Sequence, residues 1–314
     1  MSLNNLTMPQ SLCQASQLRR LSRQLIRQLG LLDAACGNQP LSPVQAHTLI
    51  ELGQNNYSIK QLAELLNIDK SNASRAVSHL VEKGFAKTTA NPKDNRSLVA
   101  QLTASGKKQL IMLDNQQNQQ FNEIMAQLPT AQISQIEQSL SQYNKAVMQS
   151  KAQVGYCIRE IAATDNAAMA KIIRDVSAEY GLTADKGYGV SDPTLDSLSE
   201  VYQASNACYW VIELDGQILG GGGIAPLNNH QGVCELQKMY FSQALRGKGF
   251  ARRLALQAID FATKQAYDAC YLETTANLTE AIKLYESLSF EHLDAPMGNT
   301  GHDACEITML LKLT

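Results

Sequence analysis

Near residues 148–155 the chain changes its hydrophobic rhythm, and that change limits the folds open to it. Upstream, apolar residues recur every three or four positions, the period of helices that bury one face. Downstream, short apolar runs bounded by Gly and Asp alternate with helical stretches, the pattern of a mixed α/β layer. A length of 314 residues already favours two domains. The expected division is residues 1–150 and 151–314, joined by a short linker.

Charge divides at the same place. Residues 1–150 hold 14 Lys and Arg against 9 Asp and Glu, whereas residues 151–314 hold 13 against 20. The net charge of −2 therefore hides a basic front half and an acidic back half. An anionic polymer is the expected partner of the front half only. No apolar run approaches the ~20 residues needed to span a bilayer, and no charged-then-apolar signal pattern opens the chain. Seven Cys stand singly, without CxxC and without a Cys/His cluster. Reduced thiols, a cytoplasmic location and no metal centre are expected.

In the front half, Leu18, Leu21, Leu25, Leu29 and Leu32 recur at helical spacing. In "LSPVQAHTLIELGQ", Ser42 caps a helix with Pro43 at its first position. "SIKQLAELLNIDKSNASRAVSHLVEKGF" holds two short helices. Ser58 with Gln61 makes a capping-box pattern, Asp69 caps the second helix and Gly84 ends it. Ala63 is small where the helices cross, and Leu62, Leu65, Leu66, Ile68, Val77 and Leu80 are expected to fix their angle. The second helix then exposes Lys70, Ser71, Asn72, Ser74, Arg75, Ser78 and His79, polar groups suited to base edges and phosphates. "AKTTANPKDNRSLVAQLT" reads as a β-hairpin with a polar tip. Helix–turn–helix followed by a hairpin is a minimal winged helix. Further on, Ile133, Leu140 and Val147 stand seven apart, as do Ile136 and Tyr143, a stripe for a partner helix.

This text resembles the MarR family of winged-helix regulators over roughly residues 11–148. The family's characteristic D-x-R wing tip is Asp94-Asn95-Arg96 here. The resemblance implies that Arg96 reaches into a minor groove, that Asp94 helps hold the wing, that the partner is double-stranded DNA, and that the terminal helices make a homodimer.

In the back half, "CYWVIEL" and "QILGGGGIAPL" read as strands joined at Asp215-Gly216, a strong hairpin signal. "TDNAAMAKIIRDVSAEYG" reads as a capped helix, and the four glycines at 220–223 as a concession to tight strand packing or a bulge. Trp210 and Tyr209 alternate on a strand, so one of them is expected in the core. The strand "VCELQKMYF" leads into "LRGKGFARRL", two glycines and four cations at the start of a helix whose apolar face is Phe250, Leu254, Ala258 and Ile259. A helix N-terminus presents free N–H groups and a positive dipole end, and glycine lets a ligand approach the backbone. Such a corner suits phosphate oxygens. GxxxxGK[ST] is absent, and the third glycine of GxGxxG is missing. R/Q-x-x-G-x-G/A, a loop for the pyrophosphate of acyl-CoA, is matched at every defined position from Arg246 to Ala251.

Residues 156–313 resemble the GNAT acetyltransferases, an α/β fold with a mixed sheet. The resemblance implies that the strand before the loop splays from its neighbour. Backbone groups of Met239, Tyr240 and Phe241 would hold the pantetheine arm. Arg246, Gly247, Lys248, Gly249, Phe250 and Ala251, with Arg252, would take the pyrophosphate of acetyl-CoA. It also implies Glu235 as general base and Tyr285, in "A-x-x-x-Y-E-x-L-x-F", as the acid that reprotonates the departing thiolate. The chemistry asks for both. An alkylamine with a pKa of ~10.4 is neutral in about one molecule in 2,500 at pH 7, a penalty of roughly 4.6 kcal/mol. Two departures stand out: Ser289 replaces a usual glycine, and Leu278 replaces a usual Asn, with Asn277 one position off. The expected function is a regulator that also transfers an acetyl group to an amine. The alternatives are a regulator whose second domain only senses acetyl-CoA or an amine, and an enzyme whose winged helix only dimerises it.

Overall fold

A computed structural model describes residues 10–31, 41–91, 94–183, 192–297 and 305–313, with the side chains of residues 10–13 and 94–96 outside that description. The chain falls into two compact units, residues 1–137 and 138–314. Among the described residues no helix is long and apolar enough to cross a membrane.

The front unit opens with α1 (Gln10–Gln28) and α2 (Pro43–Gln54). Ser42 caps α2, and its backbone N–H donates to Gln45 Oε1 at 2.9 Å, so a capping box forms around Pro43. The same device starts α3 (Ile59–Leu66), where Ser58 and Gln61 cap reciprocally. Asn67, in the left-handed region at φ 52°, turns the chain toward α4 (Lys70–Glu82), capped by Asp69 through the Asn72 amide at 2.8 Å. Gly84 follows at φ 73°. β2 (Ala86–Asn91) and β3 (Asp94–Leu102) form the expected hairpin. A two-residue strand, β1 (Tyr57–Ser58), pairs with Ala100 and Val99 of β3; it is too short to announce itself by alternation. Leu49, Leu62, Val77, Leu80 and Leu113 build the core. Leu65 does not join it: it is 49% exposed, one position off the buried Leu62–Ala63 face. α5 (Ala104–Met125) follows, and α6 (Thr130–Ala152), whose residues from 138 on belong to the second unit, buries none of its residues. Its stripe is left open, with Leu140 50% exposed and Val147 37%.

The second unit is a seven-stranded mixed sheet in the order β4-β5-β6-β7-β8-β10-β9. Its strands are β4 (Cys157–Glu160), β5 (Cys208–Leu214), β6 (Gln217–Pro226), β7 (Val233–Phe241), β8 (Ala269–Thr274), β9 (Glu291–His292) and β10 (Ile307–Lys312). All pairings are antiparallel except β7 with β8. α7 (Asn166–Glu179) and the short α8 (Leu198–Val201) cover one face. α9 (Phe250–Lys264) and α10 (Thr279–Glu286) cover the other. Because both faces are covered, Tyr209 and Trp210 are both buried rather than one of them, each on its own side. The expected cap of α7 is also corrected. Asp165 makes no cap bond; its buried carboxylate accepts from Arg159 at 2.6 Å and from the Ala162 amide at 2.8 Å, tying β4 to the start of the helix.

Candidate active site

β7 pairs with β8 over three residues only, Val233–Glu235 against Ala269–Tyr271. β7 nevertheless runs on to Phe241 and β8 to Thr274, while β10 holds the other edge of β8 along its whole length. Beyond the rung of Glu235 and Tyr271 the two strands part. The expected splay is therefore present, and Met239, Tyr240 and Phe241 lie past it, on strand backbone with no partner from β8.

A bulge governs what faces this gap. Lys238 and Met239 together oppose Gly222 of β6, with Lys238 in the left-handed region at φ 49°. A bulge breaks the two-residue period of a strand. Glu235 and Gln237 face α7, whereas Met239 and Phe241, which simple alternation would put beside them, join Leu236 against α9. The four glycines on β6 fit this close passage. A Cβ on Gly220 would lie 2.7 Å from the Tyr240 carbonyl oxygen, and one on Gly222 would overlap the Met239 sulfur. Tyr209 Oη donates to the Lys238 carbonyl at 2.9 Å and pins the bulge.

Glu235 is 4% exposed, so it is no solvated strand residue. Burial pushes its carboxyl up to about 7; the Gln237 hydrogen bond opposes the rise and the nearby Glu273 carboxylate adds to it. Gln237 Nε2 donates to Glu235 Oε2 at 2.5 Å, and Tyr202 Oη donates to Gln237 Oε1 at 2.8 Å. Across the rung, Tyr271 Oη donates to Glu273 Oε1 at 2.6 Å and accepts from the Met297 amide at 3.2 Å. Lys238, 14% exposed, pairs with Asp192 at 3.0 Å. The sequence reading missed Tyr202, Gln237, Lys238, Tyr271 and Glu273. Part of the signal was available: Gln237 and Glu273 stand two residues beyond Glu235 and Tyr271, so each shares its predecessor's face.

Tyr285 lies on the other face, in the α9–α10 core with Cys270, Leu272 and Phe290. It is 7% exposed, and burial drives its phenol well above the usual tyrosine value. Glu235 and Tyr285 therefore lie on opposite faces of the sheet. Ser289 keeps the turn of the glycine it replaces, at φ 68°. His302 lies outside the described residues.

The loop after β7 fits a diphosphate. Gly247 and Gly249 have φ of 74° and 80°, and nothing lies within 4 Å of a Cβ built on Gly247. Gly249 occupies the N-cap of α9 without a side-chain cap bond. Among the described residues the amides of Gly247, Gly249, Phe250, Ala251 and Arg252 meet no acceptor, as a helix start leaves them. The cations are less free. Arg246 pairs with Glu179 at 2.5 Å, Lys248 Nζ donates to the Ala244 carbonyl, and Arg252 donates to Ser287 Oγ at 2.9 Å. A bound anion would compete with Glu179 for Arg246.

In the front unit, α4 exposes Lys70, Ser71, Ser74, Arg75 and Ser78 and half-exposes Asn72 and His79. Ala73, Ala76, Val77 and Leu80 face inward. Asp69 accepts from Ser71 Oγ at 2.6 Å and from Asn72 Nδ2, and Asn72 Oδ1 accepts from Arg75, so the start of α4 is a preorganised polar row. The side chains of Asp94 and Arg96 lie outside the described residues.

Comparison with known proteins finds similarities to both parts of the chain. The acetyltransferase (GNAT) family matches residues 174–290, and the MarR family matches residues 39–97. An uncharacterized N-acetyltransferase, YjgM of Escherichia coli K12, is 56% identical over 157 residues, which cover 50% of this chain and 94% of that protein. The human N-acetylaspartate synthetase is 40% identical over 91 residues, 28% of this chain and 29% of the synthetase. A MarR transcriptional regulator from Methanosarcina mazei Go1 overlays 41% of this chain and 96% of its own at 21% identity and a TM-score of 0.38.

Proposed function

Since the chain belongs to the acetyltransferase (GNAT) family and carries a MarR-family region ahead of that domain, we propose that it is a DNA-binding regulator that also transfers an acetyl group from acetyl-CoA to an amine. The domains of this reading are 1–150 and 151–314. The observation that carries it is the parting of β7 and β8 beside a buried carboxyl, Glu235, on the strand that leads into a loop of unsatisfied amides at the start of α9.

Acetyl-CoA supplies the activated acyl group when bound; the chain supplies position and proton traffic. The free amides of Gly247, Gly249, Phe250, Ala251 and Arg252 hold the diphosphate, with Arg246, Lys248 and Arg252 adding charge. The backbone of Met239, Tyr240 and Phe241, left without a partner on the β8 side, lines up the arm and offers an N–H to the acyl oxygen. Glu235 takes the proton of the ammonium acceptor, directly or through a water, and its value near 7 keeps it competent at neutral pH. Tyr285, held protonated by burial, returns a proton to the thiolate. The front domain grips double-stranded DNA through α4 and the wing, as a homodimer built on the exposed stripe of α6 and its neighbours. Both activities place the protein in the cytoplasm.

The test is thiol release from acetyl-CoA over a panel of amines that includes aspartate, with binding of acetyl-CoA measured alongside. Saturable binding without turnover on any amine sinks the catalytic half and leaves the sensor. Selection from genomic DNA fragments tests the front half; recovery without sequence preference sinks it.

A further inference from the structure

Among the described residues, the backbone amides of the loop from Arg246 to Ala251 bond locally at two points only, Arg246 to the Gln243 carbonyl and Lys248 to the Leu245 carbonyl. Gly247 and Gly249 both sit in the left-handed region, and glycine visits either sign of φ about equally. A loop that must present amides in one direction needs an outside brace. Gln153, one residue past the end of α6, meets that need. It is 8% exposed, and both ends of its amide are used: Nε2 donates to the Lys248 carbonyl at 2.9 Å, and Oε1 accepts from Arg253 at 2.9 Å. Gln149, one turn earlier in α6, fills the space beside Gly249, where a Cβ would lie 2.5 Å from its Cδ. The Tyr156 ring packs tilted against Phe250, with centroids 4.9 Å apart.

Peptide planarity turns this brace into an aim. In a trans peptide the C=O and the following N–H point to opposite sides. Gln153 draws the Lys248 carbonyl to one side, so the Gly249 N–H faces the other, where it meets no acceptor among the described residues. The same glutamine also takes a hydrogen bond from Arg253.

We infer that Gln153 is a positioning residue for the acyl donor: it orients the Gly249 amide toward the diphosphate, so the end of α6 is part of the acyl-CoA site. This rests on the reading of the loop as a diphosphate cradle. The test compares two donors on the full chain, acetyl-CoA and acetyl-pantetheine, which lacks the diphosphate. Gln153→Met keeps the side chain's length and removes both hydrogen bonds. The expected result is a KM for acetyl-CoA raised about 10-fold, with kcat within about 2-fold, and an unchanged KM for acetyl-pantetheine. Equal losses with both donors would overturn the inference, as would no loss with either. If Gln153→Met does not fold, Gln153→Glu keeps the acceptor for Arg253, deletes the donor to Lys248, and must show the same selectivity. A wild-type protein that uses both donors equally well would remove the cradle itself, and the inference with it.

Discussion

Replacing Glu235 with glutamine separates what the carboxylate does for the fold from what it does for the reaction. Burial raises this carboxyl from 4.5 to about 7. At 1.36 kcal/mol per pH unit, keeping it ionised costs the fold about 3 kcal/mol. The sign follows from linkage. Between pH 4.5 and 7 the folded chain holds a proton that the unfolded chain has lost, so stability declines as pH rises through that window and levels off above it. The substituted amide cannot ionise and escapes the decline. Glu235→Gln should gain up to about 3 kcal/mol over wild type at pH 8, less whatever its altered contact with Gln237 loses, and nothing comparable at pH 4.5. Activity should move the other way. Loss of a general base costs about 10²- to 10⁴-fold in kcat/KM, and the acidic limb near pH 7 should disappear from the residual rate.

Urea unfolding of both proteins at pH 4.5, 6 and 8 measures the first effect, and thiol release across the same range measures the second. If the stability difference between mutant and wild type is the same at all three pH values, the carboxyl is not displaced and the argument from burial fails. If the mutant keeps both its rate and its acidic limb, the amine proton leaves by another route.

Three further outcomes can be stated. Tyr285→Phe should lower kcat by about 10- to 100-fold while acetyl-CoA affinity, measured by calorimetry, changes less than about 2-fold; collapse of affinity would make the tyrosine structural. Arg96→Ala should weaken DNA binding and flatten the salt dependence by about one counterion, with acetyl-CoA affinity unmoved; an unchanged salt slope in fluorescence anisotropy would take Arg96 off the DNA. Leu140→Glu combined with Val147→Glu puts charges into the exposed stripe of α6, and sedimentation should then show monomers where wild type shows dimers; an unaltered dimer would move the interface elsewhere.

What could be read from the sequence, and what could not, follows the range of the interactions. Ser42, Ser58 and Asp69 act on amides two or three residues away, so their caps were legible as local grammar and occur as written. The glycines of the loop and the hairpin at Asp215-Gly216 were legible for the same reason: each must take a positive φ that few residues tolerate. Leu65 went astray because helical period alone does not say where a short helix meets its neighbours, and the capped start read for α7 because local pattern does not say which partners a polar residue there takes. A bulge was one of the two readings open for the glycines of β6, but its place at Lys238–Met239 was not legible. It is fixed by the passage of β7 over Gly222, and it alone decides that Met239 leaves the face shared by Glu235 and Gln237. Gln153 shows the same limit more sharply. Its partners, Lys248 and Arg253, are about a hundred residues further along, and a glutamine ending a Gln-rich helix carries no mark of being buried. A motif can name the loop that takes a ligand, but the contacts that aim its amides come from chain far away, and only the fold brings them together.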